Sequence, residues 1–279
     1  GGVAAAALVA AIAAGAGCSG HDELLPCDDV TCGRGGGGGR GEPWPRAGGG
    51  SGGGGLPPCG AAACGDGGAT APAVAERVEE LLGALTLEEK LRLVGGTGFD
   101  THPIPRLGIP ALAMTDGPVG IRGGPATAWP AAAAMAATFD PELAERWGAA
   151  RGREAKAYGK NVLLGPCVNI QRAPQGGRSF ESFGEDPYLA ARLAVGVIRG
   201  VQSEGVVATV KHFAANNQET ERFTISAEVD PRALHEIYLP AFEAAVTEAG
   251  VQAVMCAYNR VNGIYACEHP GLLSETLRG

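Results

Sequence analysis

Val74, Val78, Leu81, Leu82 and Leu85 recur at helical spacing on one face, so an amphipathic helix is expected to begin near Pro72. Thr86-Leu87-Glu88-Glu89 reads as a capping box, in which hydroxyl and carboxylate each satisfy a free backbone N–H, and it opens a second short helix through Val94. Further on, short apolar runs alternate with longer amphipathic stretches. The runs are Ala111 to Met114, Val162 to Leu164, Val206 to Val210 and Val251 to Met255. The stretches follow three Asp-Pro pairs, Asp140-Pro141, Asp186-Pro187 and Asp230-Pro231, spaced 46 and 44 residues apart. Each pair places a side-chain acceptor at the N-cap and a proline at the first helical position, where its missing N–H costs nothing. Leu143 and Trp147, then Leu189, Leu193 and Val197, then Leu234, Tyr238 and Phe242 supply the apolar faces. This alternation predicts an α/β fold with a parallel sheet covered by helices, either a barrel or an open doubly wound sheet.

Polar residues follow the apolar runs in phase. Asp116 and Arg122 come after the first, Asn169, Arg172 and Arg178 after the second, Lys211 and His212 after the third, Tyr258 and Asn259 after the fourth. Loops are polar anyway, which would explain one such cluster but not four at matching positions. Barrel enzymes build their sites at the C-terminal ends of the strands, and these residues are placed for that.

Composition divides the chain. Half of its 46 glycines fall in the first quarter, and residues 33–70 carry too little apolar surface to offset the entropy of ordering, so 18–70 reads as a Gly/Cys-rich flexible linker. Ahead of it, residues 1–17 resemble a secretory signal: Val3 to Ala16 is uncharged and apolar, too short to span a bilayer, and ends in small residues before Cys18. Export to the periplasm or outside the cell is expected, with a lipid anchor at Cys18 as an alternative to free secretion. Cys27, Cys32, Cys59 and Cys64 could form disulfides in any of three connectivities, while their spacing does not suit zinc. Cys167, Cys256 and Cys267 sit in or near apolar runs and read as buried, inert thiols. A net charge of −8 argues against a nucleic-acid partner and favours a neutral or cationic small substrate. No cofactor is expected, because Gly95-Gly96-Thr97-Gly98 lacks the Lys-Ser/Thr of a phosphate loop and no dinucleotide fingerprint surrounds it. No metal site is expected either. His21, His102, His235 and His269 have no motif context and read as surface or capping residues.

Several long motifs carry a resemblance. Thr115-Asp116-Gly117-Pro118-Val119-Gly120-Ile121-Arg122, Gly165-Pro166-Cys167-Val168-Asn169-Ile170 and Gly176-Gly177-Arg178-Ser179-Phe180-Glu181 are similar to those of glycoside hydrolase family 3. So are Phe183-Gly184-Glu185-Asp186-Pro187-Tyr188, Lys211-His212-Phe213-Ala214-Ala215-Asn216-Asn217-Gln218-Glu219 and Val254-Met255-Cys256-Ala257-Tyr258-Asn259. The resemblance runs from about Val74 to the end of the chain. It implies that 71–279 is the first part of a (β/α)8 TIM-like barrel, to be followed by a second α/β domain. The implied activity is retaining hydrolysis of β-linked sugars, with a β-linked oligosaccharide or glucoside as substrate. The Asp-Gly-Pro-Val-Gly-Ile-Arg run favours a β-glucosidase over a β-xylosidase or another exo-β-glycosidase. A non-catalytic sugar-binding fragment is the alternative of another class.

By the same resemblance, Asp116 bonds hydroxyls of the terminal sugar, and Arg178, Lys211 and His212 line that subsite, with Lys211 and His212 as donors. Tyr258 lies close to the nucleophile, and Arg122 lies near the subsite. A buried sugar site needs such charge-assisted donors and acceptors, since a missing hydroxyl would then leave them unpaired. Retaining chemistry needs two carboxyl groups roughly 5–5.5 Å apart. The resemblance places both beyond Gly279, the nucleophile on the next strand in a Ser-Asp-Trp-like motif, so no catalytic residue is named in this chain. Glu181, Glu185 and Glu219 read as partners that fix loops through neighbouring Arg or Lys. The chain has no initiator Met, so both ends are expected to be cut. Sequencing the locus should find the reading frame continuing past Gly279 into an apolar strand ending in Asp. A stop codon there would leave only the binding-module reading.

Overall fold

The structure, a computed structural model, describes residues 74–279. The signal-like segment, the linker, Cys18, His21, Cys27, Cys32, Cys59 and Cys64 lie outside the described residues. Helix α1 spans Val74–Ala84 and α2 Leu87–Gly95, and the capping box at Thr86 forms as expected, with Glu89 returning the bond. A turn through Gly96 and Gly98, both at positive φ, then leads to β1, Met114–Asp116.

Two strand–helix units follow. After the short helix α3, Ala132–Ala136, come α4, Pro141–Ala157, β2, Val162–Leu164, α5, Pro187–Ser203, and β3, Val207–Phe213. Beyond β3 lie β4, Ser226–Ala227, helix α6, Pro231–Ala233, helix α7, Pro240–Thr247, and β5, Ala253–Cys256. The hairpin strands β6, Arg260–Val261, and β7, Ile264–Tyr265, precede a closing helical turn, Gly271–Thr276. Asp140, Asp186 and Asp230 each accept the N–H three residues on, so all three Asp-Pro pairs cap helices. The third helix is not continuous, however. Pro240 cannot donate to the carbonyl four residues back, and a π turn over Leu234–Tyr238 absorbs the break before α7.

The main sheet is parallel, in the order β1-β2-β3-β5. Spatial order equals chain order, as in a barrel wall, whereas a doubly wound sheet reverses direction at a switch point. Right-handed crossovers taken always in one direction put the helices on a single face. The core lies beneath them, where Leu163, Val168, Leu193, Val197, Ile198, Val210 and Phe242 are buried and Phe213 meets Phe242 edge-on at 5.0 Å.

Three expectations are corrected. First, β1 is Met114–Asp116 rather than Ala111 to Met114. The side chain of Asn161 bonds Ala113 N–H and the Ala111 carbonyl, taking those groups out of the ladder, so the pairing starts at Met114 and carries Asp116 within the strand. Second, β3 runs on to Phe213, so Lys211 and His212 lie in it, and its pairing with β5 skips His212, a bulge. Third, Cys256 and Cys267 are not thiols. The β6–β7 hairpin folds the chain back until their Cα atoms are 5.2 Å apart, and they form a disulfide. Cys167 is a buried free thiol, as read from the sequence.

Helices α4 and α5 cross where neither carries a side chain. A Cβ at Gly196 would sit 2.5 Å from the Pro141 carbonyl oxygen, and one at Gly148 or Gly200 would strike the carbonyl of Val197 or Glu145. Gly200→Ala should therefore destabilise the complete protein by about 1–3 kcal/mol through overpacking. Helix propensity alone would favour Ala by about 1 kcal/mol. An unchanged or raised melting temperature would show that the helices separate without cost.

Candidate functional site

Parallel pairing brings the C-terminal ends of β1, β2 and β3 level, and the polar residues converge there. Asp116 Oδ1 accepts from Lys211 Nζ at 2.7 Å and from Gly117 N–H at 3.1 Å. Lys211 is only 2% exposed and must cross the end of β2 to reach its partner. A buried ammonium stripped of its carboxylate would cost several kcal/mol. Asp116 Oδ2 faces Arg122 Nε at 3.8 Å, but that guanidinium is largely in solvent and the pair holds little energy. The carboxylate thus has one oxygen anchored and one without a hydrogen bond, on a side chain 26% exposed.

His212 is held by a different device. Past β2 the chain continues beside β3, with Val168 N–H on the Lys211 carbonyl, which brings Asn169 against His212. The Asn169 amide donates to the His212 carbonyl and accepts its backbone N–H, each at 2.9 Å. Those two bonds settle which amide atom is oxygen, so the 2.8 Å contact from Oδ1 to Nδ1 requires a proton on Nδ1. Burial, with the charges of Arg178, Lys211 and Arg222, pushes the imidazole down to about 2. The ring is neutral and its Nε2 is an acceptor. His212 is accordingly not the donor to the sugar ring that the sequence led us to expect, because Asn169 already takes its one ring proton.

Arg178 Nε lies 2.5 Å from Glu181 Oε1, with Glu181 buried. Glu219 takes Arg222 at 2.6 Å. These two glutamates fix loops as expected, whereas Glu185 is exposed and pairs with no cation among the described residues. Cys167, Glu181 and His212 place ligand atoms within 4.8 Å of one another. The set does not suit a metal: burial and the Glu181 charge push the Cys167 thiol up to about 11, Arg178 occupies the carboxylate, and three cations bear on the imidazole.

Tyr258 stands two residues past β5, 46% exposed, its ring 4.9 Å from Phe223. The Arg222 guanidinium lies over both rings, at 5.0 Å and 4.8 Å. Among the expected residues, Asp116, Arg122 and Lys211 form one group and Arg178 and His212 another. Tyr258 joins them through Arg222, whose charge reaches His212. Arg172 instead lies over Tyr238 at 5.8 Å. Sequence reasoning missed Arg222 and Phe223, and it gave Glu219 a loop-fixing role without naming Arg222 as the cation it holds. The only available signal was a Glu and an Arg three residues apart directly after the Lys-His strand end. Chemically this end of the sheet gathers acceptors at Asp116 and His212, donors at Lys211 and Arg178, and the aromatic rings of Phe223 and Tyr258, a set suited to a neutral polyhydroxylated ring. Asp116, Glu181 and Glu219 are each engaged by a cation.

A model of the family described as "Glycosyl hydrolase family 3 N terminal domain" matches residues 87–279. A beta-glucosidase of Rhizobium radiobacter is 51% identical over 209 residues, covering 72% of this chain and 26% of that protein. An exo-alpha-(1->6)-L-arabinopyranosidase of Bifidobacterium longum is 45% identical over 209 residues, covering 70% of this chain and 28% of that protein. The solved structure of beta-glucosidase 3B from Thermotoga neapolitana in complex with glucose superposes with a TM-score of 0.69 at 43% identity. It matches 72% of this chain and 32% of that one. The chain spans about a quarter of the length of these curated relatives.

The neutral imidazole makes a pH prediction. The folded value lies below the unfolded one, so the unfolded chain takes up a proton that the native state refuses, and stability falls as pH drops from about 6.5 toward 2. Between pH 7 and pH 5 the complete protein should lose on the order of 2 kcal/mol more than a His212→Gln variant. Urea midpoints at the two pH values would test this, and equal acid sensitivity in both proteins would contradict it.

Proposed function

This chain belongs to glycosyl hydrolase family 3, and we propose that the complete protein is a β-glucosidase releasing terminal non-reducing β-D-glucosyl residues by a retaining, two-carboxylate reaction. The observation that carries the reading is the Asp116 carboxylate, with one oxygen anchored by a buried lysine and the other without a hydrogen bond, on a partly exposed side chain. The relatives named beta-glucosidases support the choice of sugar.

In this reading the chain supplies the substrate-holding half of the site. Asp116 Oδ2 accepts from ring hydroxyls, Lys211 and Arg178 donate to hydroxyl oxygens, and His212 Nε2 accepts one further hydroxyl proton. Arg122 closes the cleft from the solvent side, and Tyr258 packs against the ring near the reacting carbon. The nucleophile and the acid/base come from residues after Gly279. The chain taken alone is therefore inactive, and residues 1–17 direct export. A second reading, an exo-glycosidase of the same family acting on another pyranoside, is favoured by the arabinopyranosidase relative.

Hydroxyl contacts that tighten in the transition state are worth several kcal/mol in glycosidases. Asp116→Ala in the complete protein should therefore lower kcat/KM on an aryl β-glucoside by about a hundredfold or more, since about 1.36 kcal/mol is tenfold. A deoxy analogue lacking the contacted hydroxyl should suffer less, and azide should not restore turnover. Equal losses on both substrates together with azide rescue would make Asp116 a nucleophile and overturn the reading.

A further inference from the structure

Arg151 is the largest fully buried side chain of the described residues, and it has no carboxylate partner. It rises from α4 with its guanidinium 3.9 Å from the centre of the Trp147 ring. Nη1 donates to the carbonyls of Gly117, at 3.3 Å, and of Pro118, while Nε and Nη2 are buried with no partner. Burial pulls the guanidinium down to about 9, which leaves it charged at neutral pH.

As a stabilising device this is poor. A buried cation matched only by two carbonyls and an indole face is costly, and an apolar side chain of similar size is often neutral or better in such a place. What the arrangement does provide is direction. Gly117 and Pro118 form the turn directly after Asp116, and Gly117 N–H donates to Asp116 Oδ1. That turn has almost no slack, since a Cβ on Gly117 would lie 2.8 Å from Leu163 Cδ1 and 2.9 Å from the Gly120 carbonyl oxygen. Arg151 grips it from the side opposite the cleft.

We infer that Arg151 is a positioning residue, which by holding the Gly117 and Pro118 carbonyls fixes the turn that aims the Asp116 carboxylate. The link to catalysis rests on the sugar-binding reading of Asp116, but the link to the turn does not. The test therefore has two arms, both in the complete protein. In the first, Arg151→Met should raise amide exchange in residues 115–122 by about tenfold while leaving Pro187–Ser203 unchanged. In the second, Arg151→Met should lower kcat/KM on an aryl β-glucoside by about tenfold, yet change it less than about twofold when Asp116 is already Ala. Arg151→Lys, which keeps a donor for the carbonyls, should restore part of both. Exchange that is unchanged, or raised everywhere, overturns the inference, as do losses that multiply in the double variant. Should Arg151→Met fail to fold, the Lys variant carries both readings. If the complete protein cleaves no β-glucoside, the glucosidase reading falls alone and the exchange arm still decides the role of Arg151.

Discussion

The ion pair between Lys211 and Asp116 ties β3 to β1 across the end of β2, and the cleft depends on it. Leaving a lysine that is 2% exposed without its carboxylate is costly, so the three strand ends must stay level to within a hydrogen bond. The ladder provides that level. Thr209 and Lys211 donate to the carbonyls of Gly165 and Pro166, so the chain past β2 continues the pairing and delivers Asn169 to His212. The bulge at His212 then leaves consecutive residues with separate partners, one for Asp116 and one for Asn169.

Around that pair the cleft is an electrostatic compromise. Arg178, Lys211 and Arg222 crowd one end of the sheet, and Glu181, Asp116 and Glu219 each neutralise one of them. His212 among them stays neutral, because burial and then the nearby cations disfavour its protonated form. A site arranged this way keeps fixed donors and acceptors without net charge, as recognition of an uncharged ligand requires.

Local chemistry was legible in the sequence, and long-range geometry was not. The Thr86 capping box and the caps at Asp140, Asp186 and Asp230 act within one turn, so their residues sufficed to place four helix starts. The phase of the polar clusters put them at one end of the sheet, where the structure brings them together. Strand limits were less readable, because Asn161 imitates a backbone partner for Ala111 and Ala113, and nothing in periodicity reveals a side chain doing so. The tautomer of His212 depended on Asn169, 43 residues away. The Cys256–Cys267 bond required the short β6–β7 hairpin, whose strands of two residues are too brief to show alternation. Nothing in the sequence separates Arg151 from the other arginines of α4, and only the packing of that helix against the turn after β1 distinguishes it.

The identity of spatial and chain order has a consequence for synthesis. Successive strands begin at 114, 162, 207 and 253, so each newly made unit finds its pairing edge already in place. At about 5–20 residues per second a ribosome would present one such unit every ~2–10 seconds. A doubly wound sheet must wait for strands on both sides of its first one, whereas this wall can grow in one direction from its N-terminal end. The cleft appears late in that sequence, when β3 brings Lys211 to an Asp116 made 95 residues earlier. Until then the carboxylate stands at a strand end with nothing buried against it, and the ion pair that fixes it forms only after the sheet beneath it is built.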